Sequence, residues 1–237
     1  MQTQINISSF LVDATGRSSW LARSRGRKRI SYDTMIGLVG VLRPQTSCTS
    51  IDPVLQLEAA EEGWWYSAPV PDGSLVVTYI TDRDYLTRSG LRHTHFWLSK
   101  LECTSYTVAR SRGFQIEGDV RVKSASTYRL ERPAGDGWVA VGDAASTYDP
   151  LSAEGVSKAL RSGMSASQTI HNYLRGNGEV LDEYVVGVAK EFEDYLAQRV
   201  RYYRREARWP ASLFWSRRQI NPLNLEGDNF LLKGRDT

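Results

Sequence analysis

Two short apolar runs, each ending on an aspartate at a turn, constrain this chain more than any other feature. Residues Ile5 to Val12 break at Asp13-Ala14-Thr15-Gly16, and Trp138-Val139-Ala140-Val141 runs into Gly142-Asp143-Ala144-Ala145. Short apolar runs closed by turn residues read as buried strands. In open α/β sheets, ligands bind in the crevice beyond the carboxyl ends of such strands. Two aspartates delivered there predict a polar ligand held at the strand ends.

The intervening sequence has a different texture. Residues Met35 to Leu42, Val54 to Ala59, Gly63 to Ser67 and Leu75 to Ile80 are β-rich, and Pro71-Asp72-Gly73 joins the last two as a hairpin. A helix is expected from Asp82 to Glu102, with further strands at Phe114 to Val122 and Ala125 to Leu130. After Asp149-Pro150 the period becomes helical: Val156, Ala159, Leu160, Gly163, Ala166 and Ile170 form one apolar stripe, which Gly176 to Gly178 stops. A second helix carries Leu181, Tyr184, Val185, Val188, Phe192, Tyr195, Leu196 and Arg199 toward Arg208, and Trp209-Pro210 closes it.

The predicted fold class is therefore α/β with an α+β insertion: part of a Rossmann-like nucleotide-binding domain, an antiparallel-sheet domain and carboxyl-terminal helices. The expected boundaries are 1–31 for the first nucleotide-domain piece, 32–130 for the sheet domain, 131–178 for the return segment and 179–237 for the helical region.

The chemistry concentrates between Gly142 and Val156. Gly142 lets the backbone turn without a side chain in the way, and Asp143 at the strand end is an ionised acceptor suited to a ribitol or ribose hydroxyl. Pro150 fixes the loop, while Ser152, Ala153 and Gly155 are small enough for a flat ring to approach. Free amides at the start of the next helix suit negative charge. Asp13 by itself reads as an acceptor for its own turn.

Composition narrows the function classes. A formal charge of +3, from 30 Lys and Arg against 27 Asp and Glu, is too small and dispersed for a nucleic-acid binder. Cys48 and Cys103 have no metal-ligand spacing and read as reduced, packed thiols of a cytoplasmic protein, and no run is long and apolar enough to span a bilayer. His93, His95 and His171 are neither paired with an acid nor arranged as ligands, so no metal site is expected.

The segment Gly142-Asp143-Ala144 through Asp149-Pro150 to Gly155 resembles the Gly-Asp-Ala…Asp-Pro…Gly motif of FAD-dependent monooxygenases, tryptophan-halogenase-like oxidoreductases and geranylgeranyl-reductase-like proteins. Val12-Asp13-Ala14-Thr15-Gly16-Arg17 is similar to the Asp-Ala-(Thr/Asp)-Gly-Arg turn of the same enzymes. The resemblance implies a glutathione-reductase-type fold and FAD as cofactor. It assigns cofactor-binding roles to Asp13, Gly142, Asp143, Asp149, Pro150, Ala153, Gly155 and Val156. The family has a second glycine where this chain has Ala153.

The family's opening strand and Gly-x-Gly-x-x-Gly turn are not found, so the sequence reads as a carboxyl-terminal part of such a protein. Gly63-Trp64-Trp65-Tyr66-Ser67-Ala68-Pro69 resembles the strand of halogenase-like and quinone-cofactor-maturation flavoproteins that borders the substrate cavity. It places Trp64, Trp65 and Tyr66 at an aromatic substrate, with a sheet core as the equal alternative.

The implied activity is monooxygenation of an aromatic substrate, either a small molecule or a tryptophan within a partner protein, through a flavin C4a-hydroperoxide. NAD(P)H or a reductase would be the electron donor. No side chain is needed as a general base. The alternatives are a truncated flavoprotein serving as a non-catalytic binding or assembly module, and a geranylgeranyl-reductase-like enzyme.

Overall fold

A computed structural model describes residues 8–46 and 52–220; Ile5, Ile7, Cys48 and the tail beyond Ile220 lie outside them. Contacts divide the chain into two units. The described residues of the first are 8–32 and 127–199, and those of the second are 33–46, 52–126 and 200–220. The last stretch thus belongs with the sheet unit, whereas the sequence suggested a separate helical region.

The first unit opens with strand β1 (Leu11–Asp13), helix α1 (Trp20–Ser24) and strand β2 (Arg29–Ser31). The second contains strands β3 (Met35–Pro44), β4 (Gln56–Ala60), β5 (Gly63–Pro69) and β6 (Leu75–Asp82). Helices α2 (Arg83–Ser89), α3 (His93–Glu102) and α4 (Tyr106–Arg110) follow, then strands β7 (Phe114–Ile116) and β8 (Arg121–Ser124). The first unit resumes with β9 (Tyr128–Leu130), β10 (Ala134–Gly135), β11 (Trp138–Ala140) and β12 (Ser146–Thr147). Helices α5 (Gly155–Leu174) and α6 (Val180–Tyr203) come next, and α7 (Leu213–Gln219) ends the description.

In the second unit the order is β4-β5-β6-β3-β7, with β8 also on β3, and every pairing is antiparallel. The expected hairpin joins β5 to β6, with Gly73 at φ +82°. Leu38, Trp65, Leu75, Val77 and Tyr79 share one face and pack with Phe96, Trp97 and Leu101 of α3. Gly40 admits that helix: a Cβ there would meet the Trp97 ring at 3.0 Å. The single helix expected from Asp82 to Glu102 is two, because Gly90 at φ +65° ends α2.

In the first unit β1 and β11 are parallel, with Leu11 level with Trp138 and Asp13 level with Ala140, and β10 joins β11 antiparallel. The parallel pairing brings both strand-end turns to the same edge. Strand β9, the shorter successor of the run expected at Ala125 to Leu130, lies in a separate sheet of order β12-β9-β2.

Two expectations about burial are corrected. Leu11 and Val12 are exposed, at 40% and 49%, while Asp13 in the same strand is buried. The apolar stripe of α5 packs only in its second half, where Ala166 and Ile170 join the cluster around Val139. Val156, Leu160 and Met164 are 76%, 66% and 74% exposed, whereas Lys158, Ser162, Ala166 and Thr169 are buried. Polar bonds from Ser162 and Lys158 to the strand end decide which face of its first half turns inward. Helix α6 stops at Tyr203, five residues short of the expected Arg208.

Candidate functional site

Asp13 is buried and holds its own turn. Its Oδ1 accepts from the Thr15 amide (3.1 Å) and hydroxyl (2.6 Å), and its Oδ2 from the Ala22 amide (2.9 Å). Burial pushes its carboxyl up, but these hydrogen bonds outweigh it and hold the group below the usual range. The two strand-end turns are tied together by the Ser19 hydroxyl, which donates to the Ala144 carbonyl (2.8 Å), and by the Tyr128 hydroxyl, which donates to the Asp143 carbonyl (2.9 Å).

Beyond β11 the chain bends at Gly142, φ +54°. Its amide donates to Ser162 Oγ of α5 (2.8 Å), and a Cβ there would lie 3.3 Å from that of Ala159. Glycine is thus required twice, for the left-handed backbone and for the close approach of the helix. Next to it, the Asp143 side chain is 41% exposed, and its Oδ1 accepts from Lys158 Nζ at 2.9 Å. The Lys158 side chain is 2% exposed; its ammonium also donates to the Ser146 carbonyl and lies 4.4 Å from the Tyr148 ring centre. Burial depresses the Lys158 pKa more than the Asp143 contact raises it.

Asp149 faces inward. Its Oδ1 caps the Leu151 amide (2.9 Å), and its Oδ2 lies 3.5 Å from the buried Arg199 Nε. The Asp149 amide donates to the Tyr195 hydroxyl (2.7 Å), and the Tyr195 and Tyr148 rings stack at 3.9 Å. Pro150 begins a short 3-10 turn that ends at Ala153 in the left-handed region, φ +53°. This is the position of the family's second glycine, so the departure carries backbone strain. Gly155 opens the 20-residue α5, which has no side-chain cap, and nothing lies within 4 Å of a Cβ placed there. The first amides of such a helix have no intrahelical acceptor and favour an anionic group. Val156 is on its exposed side.

The arrangement offers an oriented, accessible carboxylate oxygen for a hydroxyl, an open helix terminus for negative charge, and a loop of small residues. These residues fit FAD, whose ribityl chain and flat ring have the matching chemistry. Asp13 and Asp149 support the loop from inside, while Asp143 faces out.

The aromatic run behaves differently from three cavity-lining residues. Strand alternation puts Trp65 on the opposite face from Trp64 and Tyr66. Trp65 is fully buried against Tyr79 and Trp97, the sheet-core alternative, and Trp64 donates its Nε1 hydrogen to the Tyr203 hydroxyl (3.2 Å). Tyr66 is half-buried beside Trp64. His93 and His95 border a cleft of about 420 Å³ at the start of α3, and His171 is exposed. Cys103 is exposed, not packed. Among the described residues no group could hold a metal ion, and no helix is long and apolar enough to cross a membrane.

Sequence reasoning missed Lys158, Ser162 and Tyr195. A signal was present: Lys158, Ser162, Ala166 and Thr169 recur at helical spacing as a second, small and polar stripe.

No protein-family model matches the sequence. Over 210 residues, 88% of this chain, it is 30% identical to the putative FAD-dependent oxidoreductase LodB of Marinomonas mediterranea. The chain is a homologue of FAD-dependent oxidoreductases and halogenases. It spans about half the length of that curated relative, 56% of LodB. This flavoprotein homologue has the fold of the flavin-dependent halogenase CmlS, with a TM-score of 0.76 at 24% identity over 89% of this chain and 40% of CmlS. The peptidyl tryptophan dihydroxylase QhpG matches with a TM-score of 0.71 at 22% identity, over 92% of this chain and 50% of QhpG. The expected class, α/β with an antiparallel-sheet insertion, is the one found.

Proposed function

We propose that this chain is part of an FAD-dependent monooxygenase acting on an aromatic substrate, with a tryptophan of a partner protein as the favoured form. The observation that carries the flavin reading is the outward-facing Asp143 carboxylate beside the uncapped amino terminus of α5. When bound, the flavin supplies the redox and oxygen chemistry. The residues of the chain bind and orient it: Asp143 accepts a hydroxyl, the first amides of α5 stabilise negative charge, and Gly142 and Gly155 leave room. NAD(P)H or a reductase would supply electrons. Likeness to a peptidyl tryptophan dihydroxylase in fold supports a protein-bound tryptophan.

The test is FAD uptake by the purified chain, followed by visible flavin absorption after removal of excess cofactor, together with Asp143→Ala. Retained flavin that Asp143→Ala releases supports the reading. No uptake, or equal uptake by both proteins, refutes the site as drawn.

A further inference from the structure

Where α2 hands over to α3, the second unit holds two arginines that the fold leaves unpaired. Gly90 ends α2 at φ +65°, and the chain turns through Leu91 and Arg92 into α3. Adjoining clefts of about 420 and 530 Å³ open at this turn, and Leu91 and His93 border both. Volumes of that size suit a small organic ligand. The larger cleft is lined by Ile36 of β3, Leu86 of α2 and Val122 of β8, with the exposed Arg83 beside them; Arg92 borders the smaller. Its apolar wall is continuous with the sheet core, since Leu86 and Val122 pack against the cluster that contains Ile36. Among the described residues, neither the Arg83 nor the Arg92 guanidinium meets a carboxylate or a hydrogen-bond acceptor, whereas Arg88 pairs with Asp84, and Arg217 with Asp82 and Asp84. Asp119, the carboxylate bordering the smaller cleft, accepts from the Thr94 hydroxyl at 3.3 Å.

We propose that this turn is a binding site for a small carboxylate with an apolar body. The wall of Ile36, Leu86 and Val122 takes the body out of water, which is favourable in proportion to the apolar area covered. The planar guanidinium forks of Arg83 and Arg92 match the two oxygens of a carboxylate, and hydrogen bonds between ionised groups are the strong ones. Two guanidiniums against Asp119 alone leave the lining positive whatever the state of His93 and His95, so an anion is drawn in and a cation is repelled. A neutral ligand gains the apolar contact and nothing more. The site lies wholly within the second unit and does not depend on the flavin reading.

The experiment is calorimetric titration of the purified full chain with indole-3-propionate and, separately, with its uncharged amide. Saturable binding of the acid is expected, with the amide weaker by about tenfold, the worth of one hydrogen bond to a charged group. Arg83→Met and Arg92→Met keep an apolar stem without the charge; each is expected to weaken the acid by roughly five- to tenfold and to leave the amide nearly unchanged. Arg88→Met removes a charge from the same helix that is already paired with Asp84, and should leave both ligands as they were. Val122→Trp fills the larger cleft and should abolish binding of acid and amide alike. If that variant does not fold, the arginine pair decides the matter without it. Absence of saturable binding by the acid overturns the proposal. So does equal affinity for acid and amide, or a loss in Arg88→Met as large as in Arg83→Met and Arg92→Met, which would mean general attraction to a positive surface and no site.

Discussion

Ala153→Gly should stabilise this protein, against the usual expectation for a change that removes a side chain. Ala153 ends the 3-10 turn after Pro150 at φ +53°, ψ +17°, where an L-residue brings Cβ too close to its own backbone. Relief of that strain contributes roughly 1–2 kcal/mol. Glycine returns about 0.4–1 kcal/mol of conformational entropy to the unfolded chain. The net gain is on the order of 0.5–1 kcal/mol, which for a chain of this length raises Tm by about 1–4 °C. Gly142, at φ +54°, supplies the opposite case: Gly142→Ala adds the same strain and a Cβ 3.3 Å from that of Ala159, for a loss of roughly 1–3 kcal/mol. The assay is thermal and urea unfolding by circular dichroism and tryptophan fluorescence, with coincident transitions required before a free energy is taken. An unchanged or lowered Tm for Ala153→Gly, or a neutral Gly142→Ala, refutes the backbone argument.

Three further outcomes are expected. Arg218 and Asp82 form a buried ion pair, helped by Arg217 at 2.9 Å from the same carboxylate, so Arg218→Leu should cost about 3–5 kcal/mol. Asp82→Leu/Arg218→Leu should cost much less, as urea unfolding would show; a double variant as unstable as the single one contradicts a desolvated pair. The folded-state pKa of Lys158 lies below its ordinary 10.5, so the unfolded chain binds more protons between those two values. Stability therefore contains a component that rises with pH in that window; urea midpoints measured up to pH 10.5 should show less of a rise in Lys158→Met than in the parent. Trp65→Ala should cost about 3–5 kcal/mol by emptying the core beneath α3, whereas Trp64→Phe, losing its hydrogen bond to Tyr203, should cost about 0.5–1.5 kcal/mol; equal losses in urea unfolding would contradict the strand alternation.

The parts of the fold written in local pattern were legible, and those decided by distant partners were not. The runs ending at Asp13 and Gly142-Asp143 announced strand ends because an apolar run and its turn are adjacent in sequence, and the Asp72-Gly73 hairpin was readable for the same reason. The seat of α7 was not: Asp82 and Arg218 are 136 positions apart, and nothing near either residue says that the other will neutralise it. The reading of Trp64, Trp65 and Tyr66 as one lining failed on a rule already present in the sequence, since three consecutive strand residues cannot share a face.

Helix α5 shows where hydropathy itself misleads. Reading its apolar stripe as the core assumes that burial is set by transfer from water alone. Here the inward face of its first half is set by what the strand end demands: a hydroxyl from Ser162 for the Gly142 amide and an ammonium from Lys158 for Asp143. Bulky side chains on that face would hold the helix away from Gly142 and break both bonds, so the face is built from small and polar residues, and Val156, Leu160 and Met164 turn outward. A helix packed to serve a binding loop can thus carry its largest apolar residues on the wrong side for a core, and the polar residues at helical spacing are then the better guide to the site.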